Sequence, residues 1–154
     1  MRPIFGFKDK GADFDSVIQF WLDYWKDQGV DLPEIDPLII KALIATESTF
    51  NPTVHTKVKG STTHGLMQLT SQSRRVLAGI PDAKGWRETK SNLVSVTEED
   101  ISDPVANIGV GIRWLAHKYS QIPKSAERNV KNMLKNFHSW NDAGTQYAKK
   151  ILDL

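Results

Sequence analysis

The chain has 154 residues, 40% hydrophobic and 25% charged, the make-up of one globular domain long enough to bury a core. Its 20 basic and 18 acidic side chains leave a net charge of +2, too mild to argue nucleic-acid binding by counterion release but compatible with an anionic polymer. With no cysteine, a disulfide framework, a thiolate metal site and a thiol nucleophile are all excluded.

Residues 1–10 contain no apolar run of about 7 to 15 residues, and no segment reaches the roughly 18 apolar residues of a bilayer span. No export signal or transmembrane segment is therefore expected in this chain. After a glycine-containing lead-in, Asp13 or Asp15 is placed to cap a helix whose apolar set, Phe14, Val17, Ile18, Trp21, Leu22 and Trp25, recurs at intervals of three and four. Gly29 ends it. Pro33 and Pro37 frame a short loop, after which Asp36 and Pro37 have the cap and first-turn chemistry of a second helix.

That second helix, Pro37 to about Ser48, is apolar nearly all round except at Lys41, the pattern of a buried helix. Residues 51–64 read as a polar loop bent at Gly60, and Gly65 to Gln68 as the opening of a short helix that runs on to Leu77 before Gly79 and Pro81 break it. Most of 82–102 reads as loop, with Val94 and Val96 alternating as in a brief extended strand. Asp103-Pro104 caps and starts a helix to about Tyr119, with Val105, Ile108, Ile112 and Leu115 on its apolar face. Gly109 and Gly111 inside it cost about 1 kcal/mol each relative to Ala, which points to close packing of a neighbour. A helix over 125–139, a turn at 141–144 and a last helix over 145–154 complete the reading.

Glu47 is the residue with the clearest chemical promise. It lies three residues after Ile44 and four after Leu43, so helical spacing stacks it on their buried face. It also sits at the negative end of the helix macrodipole, and Lys41, the nearest upstream cation, points elsewhere. Burial without a paired cation raises a carboxyl pKa, and an acid still protonated near neutrality can protonate a leaving oxygen. No Asp or Glu occurs from Ser48 through Pro81, so a second carboxylate would have to come from farther away, as from Asp82, Asp103 or Asp142. The four histidines, His55, His64, His117 and His138, lack the i, i+4 spacing with a nearby acid that a zinc helix shows, so no metal and no cofactor is expected. Lys118, Lys124, Arg128, Lys131 and Lys135 read as a solvated helix face or as a hold for acidic stem peptides.

Four ordered motifs carry a family resemblance: Glu47-Ser48-Thr49-Phe50-Asn51-Pro52, Gly65-Leu66-Met67-Gln68, Asp103-Pro104-Val105-Ala106-Asn107-Ile108, and Ser139-Trp140-Asn141 where Ala-Tyr-Asn is usual. In these the chain resembles the lytic transglycosylases of the soluble transglycosylase type, in the lysozyme-like superfamily. The resemblance covers about residues 36–154; residues 1–30, the lead-in and first helix, lie outside its firm part. It implies a mainly α, lysozyme-like single domain over residues 1–154, with a small loop or extended region beside an active-site cleft.

The resemblance further implies that Glu47 is a single general acid/base cleaving the β-1,4 bond between N-acetylmuramic acid and N-acetylglucosamine in peptidoglycan glycan strands, leaving 1,6-anhydro ends. Ser48 would orient substrate near the acetamide, or simply be a polar residue ending the helix. Gln68 would line the cleft by hydrogen bonds and Met67 as an adaptable apolar wall, with His64 at its border. Leu66 reads as core, Phe50 and Pro52 as fixing the turn after the acid, and Asn107 as a bond to loop backbone. Trp140 departs from the usual Tyr, since an indole has one donor and no acceptor; it would stack on a sugar face, with Asn141 keeping its match and Tyr147 supplying a substitute hydroxyl. Ser71, where proline is usual, is a local difference.

Two other readings stay open: a muramidase that hydrolyses the same bond with water, and a wall-binding or virion module without turnover. A monomer acting in the cell wall or periplasm is expected, delivered by phage lysis, a virion or a secretion machine, or after a leader is removed. Whether an inhibitor or immunity protein exists is not legible.

Overall fold

The computed structural model describes residues 11–58 and 61–154; the expected lead-in before Gly11 and the bend at Gly60 lie outside them. A short 3-10 turn, Ala12–Phe14, leads into α1, Asp15–Asp27. Neither Asp13 nor Asp15 caps it with its side chain. The Asp15 carboxylate instead reaches across to α2, Pro37–Ser48, where its Oδ1 lies 2.8 Å from Lys41 Nζ. Lys41 is 1% exposed, so the one polar break in the α2 pattern marks a buried ion pair rather than a solvated edge.

Helix α2 starts as its sequence dictates. The Asp36 side chain accepts a 2.9 Å hydrogen bond from Leu38 N, and Pro37 fills the first position, where its missing N–H is no loss. Ile40, Leu43 and Ile44 are fully buried, and α2 packs against both α1 and α6, Asp142–Leu152. Each such side chain contributes about 1.5–3 kcal/mol of burial.

Residues expected to form a loop after α2 form an antiparallel hairpin, β1 His55–Val58 with β2 Ser61–His64, in the register His55 to His64 and Thr56 to Thr63. The β-branched residues Thr56, Thr62 and Thr63 suit a pleated surface, which polarity alone does not reveal. Residues Gly65 to Gln68 are a turn and not the start of a helix. Gln68 has φ of 51°, and α3, Ser71–Leu77, begins only where the Thr70 Oγ1 accepts from Ser73 N at 3.1 Å. No strand forms at Val94 or Val96 in the described chain; Val94 N donates to Leu77 O, and a 3-10 turn follows at Asp100–Ser102.

Helix α4, Pro104–Ser120, is the central element, capped by Asp103, whose Oδ2 accepts from Ala106 N at 3.1 Å. Ile108, Ile112 and Leu115 are buried as patterned, whereas Val105 in the first turn is 45% exposed. The two glycines carry the close approaches. A Cβ at Gly109 would overlap the Trp21 ring, and one at Gly111 would overlap the Met67 thioether. Trp21 and Trp25 then fasten α1 to α4 by donating Nε1–H to Val105 O and Gly109 O, each at 2.9 Å.

The last two helices start at asparagine caps, later and earlier than their periodicity suggests. Asn129 caps α5, Val130–His138, so 125–129 is not helical; Asn141 caps α6, which absorbs the expected turn at 142–144. Gly144 fits there because a Cβ would collide with Ser139 O. The basic face of this region is not simply solvated: Lys118 lies over Trp114, Arg128 over Tyr119 and Lys135 over Trp140. Among the described residues no helix is long and apolar enough to cross a membrane.

Candidate active site

Glu47 lies in the last turn of α2, where the chain turns away sharply. Thr49 and Phe50 both take left-handed φ, 52° and 61°, and Thr49 N closes the helix on Ala45 O. Two consecutive non-glycine residues in that region cost on the order of 1 kcal/mol each, strain of the kind that collects at functional sites. Phe50 packs on the core, its ring filling the space that a side chain at Gly11 would need. Asn51 secures the exit by accepting from Thr53 N and Thr53 Oγ1 at 3.0 and 2.8 Å.

Burial raises the Glu47 carboxyl to about 7, and the exposed ammonium of Lys150 on α6 opposes that rise. No acid among the described residues contributes to its electrostatics. Asp82, Asp103 and Asp142 are engaged in turn, cap and helix-start positions instead. Tyr147, one helical turn before Ile151 on α6, is 8% exposed, and its hydroxyl has no hydrogen-bond partner among the described residues. Its ionisation is pushed up by burial and then by the Glu47 charge, which places the two groups in one electrostatic neighbourhood at the α2–α6 contact. The ring is held by Phe137, stacked at 6.4 Å, and by His138 at 4.7 Å.

The Gly65–Gln68 turn is clamped by one side chain. Asn107, 1% exposed, accepts from Met67 N at 2.8 Å and donates to His64 O at 2.9 Å and Ile101 O at 2.8 Å. All three bonds go to backbone, the structural role expected for Asn107. Gly65 is required twice over: its φ is 75°, and a Cβ there would overlap the Asn107 amide.

The remaining expected site residues divide by what they are already bonded to. Gln68 spends both N–H groups on backbone, on Val54 O at 3.1 Å and Gly65 O at 2.9 Å, while its Oε1 accepts from Thr63 Oγ1. Met67 is fully buried against α4 and Leu66 is core, so Met67 offers no exposed wall. Ser48 is buried and donates back to Ile44 O at 3.1 Å, the plain helical alternative for that residue. His64 is buried in a polar chain, with His55 Nδ1 at 2.9 Å from its Nδ1 and Glu98 Oε1 at 3.2 Å from its Nε2. Asn141 caps α6 and accepts from Ser139 Oγ at 2.8 Å. Trp140 is 37% exposed with the Lys135 ammonium 4.2 Å from its ring centroid.

The structure thus brings Glu47, Tyr147 and Lys150 together, while Gln68, Met67, Ser48 and Asn141 hold the frame. Lys150 was not legible as a site residue, because nothing in a surface lysine near the end of a chain signals which helix end it faces. Among the described residues no group of three or more His, Asp or Glu side chains is arranged to hold a metal ion.

Among the described residues, then, a buried acid with a raised pKa shares its electrostatic neighbourhood with a buried hydroxyl that has no hydrogen-bond partner, and no acid acts on it. The family model described as Transglycosylase SLT domain matches residues 27–149. No curated protein and no solved structure matches the chain. The chain belongs to the transglycosylase SLT domain family, whose lysozyme-like members are lytic transglycosylases acting on the peptidoglycan of the cell wall.

Proposed function

We propose that this enzyme cleaves the β-1,4 bond between N-acetylmuramic acid and N-acetylglucosamine without water, with Glu47 as both acid and base. The protonated carboxyl delivers its proton to the glycosidic oxygen as the bond from muramic C1 to that oxygen breaks. The muramic acetamide oxygen supports the cationic C1. The resulting Glu47 carboxylate takes the proton of the muramic 6-hydroxyl, whose oxygen bonds to C1 and gives the 1,6-anhydro ring. Glu47 ends protonated, ready for another cycle.

The observation that carries this reading is the solitary Glu47, raised to about 7 by burial, with no acid among the described residues acting on it. A retaining hydrolase needs a second carboxyl about 5 to 5.5 Å away and an inverting one about 6.5 to 9.5 Å away. Tyr147 fits as a donor toward the reacting groups, its hydroxyl being buried and without a hydrogen-bond partner among the described residues. Trp140 fits as a ring for a sugar face at the start of α6.

Mass spectrometry of purified peptidoglycan digested by the protein and by Glu47→Gln tests the proposal. Anhydro-muramic ends made by the wild type and lost in the variant are expected. Reducing muramic ends would make the enzyme a muramidase, and products that persist in the variant would remove Glu47 from the chemistry.

A further inference from the structure

We propose that the loop after α3 forms a second glycan-binding site, which takes an N-acetylhexosamine unit of a wall strand on the Trp86 ring. The identity of the polymer rests on the function proposed above. The site is built from residues 72–88 and includes none of the groups found to act on Glu47.

Trp86 is 69% exposed. Its ring makes no aromatic or cation contact among the described residues, and its Nε1–H has no hydrogen-bond partner there, unlike Trp21 and Trp25, whose indoles fasten helices. An exposed ring alone signifies nothing. This one is held in place. Asp82 Oδ1 accepts from Lys84 N at 2.8 Å and Trp86 N at 3.0 Å, Asp82 N donates to Trp86 O at 2.9 Å, and Gly85 N donates to Asp82 O at 3.0 Å. A loop so tied presents its ring at little further entropic cost on binding.

Trp86 also borders a cavity of about 360 Å³, with Val76, Ile80 and Pro81 as its apolar part and Gln72, Arg75 and Glu88 at its polar rim. The side chains of Gln72 and Arg75 make no hydrogen bond or ion pair among the described residues, so their donors are free. An apolar ring beside planar donors and acceptors matches a pyranose, which has a C–H face edged by hydroxyl and acetamide groups. A polyanion fits poorly, because among the described residues Arg75 is the one cation lining the cavity, and Asp82 and Glu88 face it. A second contact of this kind would keep the enzyme on an insoluble strand between cuts, raising its effective concentration there.

The test is a titration of the Glu47→Gln protein, which leaves the ligand intact, with soluble tetra-N-acetylchitotetraose. It is read at the indole N–H resonances by NMR, the Trp86 peak being identified by its loss in Trp86→Phe. Sedimentation with purified sacculi follows, for the same protein carrying Trp86→Ala or Phe20→Ala. Phe20, 56% exposed on α1, controls for unspecific apolar adsorption. A saturable shift of the Trp86 peak is expected, with retention on sacculi about five- to tenfold weaker for Trp86→Ala and unchanged for Phe20→Ala. A Trp86 peak that stays still, or equal losses for the two variants, would overturn the site. A shift for chitotetraose without Trp86-dependent retention on sacculi would overturn the wall strand as its ligand. Trp86-dependent retention by a protein whose wild type makes no anhydro ends would sink the catalytic reading and leave this site standing.

Discussion

The Tyr147 hydroxyl and the Glu47 carboxyl lie in one electrostatic neighbourhood between α6 and α2, each without a hydrogen-bond partner among the described residues, and the Glu47 charge opposes ionisation of the phenol. A buried hydroxyl with nothing to bond costs stability in the free protein. Bound substrate would relieve that cost by presenting an oxygen to it. Tyr147→Phe is therefore expected to lower kcat about tenfold to a hundredfold, as for a lost donor to developing charge, while its thermal stability is unchanged or higher. Steady-state kinetics and a melting curve on the same preparation check this, and full activity in the variant would leave the hydroxyl without a role.

The raised pKa of Glu47 sets a pH dependence of both activity and stability. In the proposed mechanism the acid must start protonated, so activity should fall as pH rises through about 7. Between the unfolded carboxyl value, near 4.5, and about 7, the native state holds a proton that the unfolded chain has released, so stability declines as pH rises across that window. Glu47→Gln is expected to abolish activity and to remove this decline. At pH 8 the variant should be more stable than the wild type by an amount on the order of 1–3 kcal/mol, and at pH 4 the two should match. Melting temperatures at the two pH values read the difference directly; equal gaps at both would show that burial does not hold a proton on Glu47 in the native state.

From the surface of α6 the Lys150 charge lowers the Glu47 pKa that burial raises, so its removal should move the acid further upward. For Lys150→Met, the alkaline limb of the pH–rate profile is expected to shift up by a few tenths of a unit, a small effect because the ammonium is exposed and screened. Added salt should shift the wild-type limb in the same direction and leave the variant's limb in place. A limb that moves down in Lys150→Met would mean that the ammonium acts on substrate rather than on Glu47.

The parts of this architecture that sequence alone discloses are those governed by local chemistry. Asp36-Pro37 and Asp103-Pro104 start helices because cap and first-turn preferences belong to the residues themselves, and Gly109 and Gly111 announce close packing because their absence of Cβ is otherwise a cost. What escaped was decided at a distance. The Thr-rich hairpin draws its pairing from a partner strand, and Gln68 turns inward to bond Val54 and Gly65 because the Asn107 clamp bends the chain there. Glu47 was legible as an acid on a buried helix face, while the company of Tyr147 and Lys150 depends on how α6 crosses α2, which no local pattern states.

Lys41 belongs to the same class of long-range effect, and its energetics are large. Its ammonium, 1% exposed, meets Asp15 Oδ1 at 2.8 Å across the α1–α2 contact, so α1 is pinned to the helix that carries Glu47. Asp15→Asn would leave the ammonium buried against a neutral amide, and breaking such a pair on one side costs about 3–5 kcal/mol. Chemical denaturation should show that loss. The double variant Asp15→Leu with Lys41→Met should recover most of it, since an apolar pair of similar volume removes both desolvation penalties. A double variant no better than Asp15→Asn would mean that the pair also fixes how the two helices sit, and activity measured on the double variant would show whether Glu47 needs that placement.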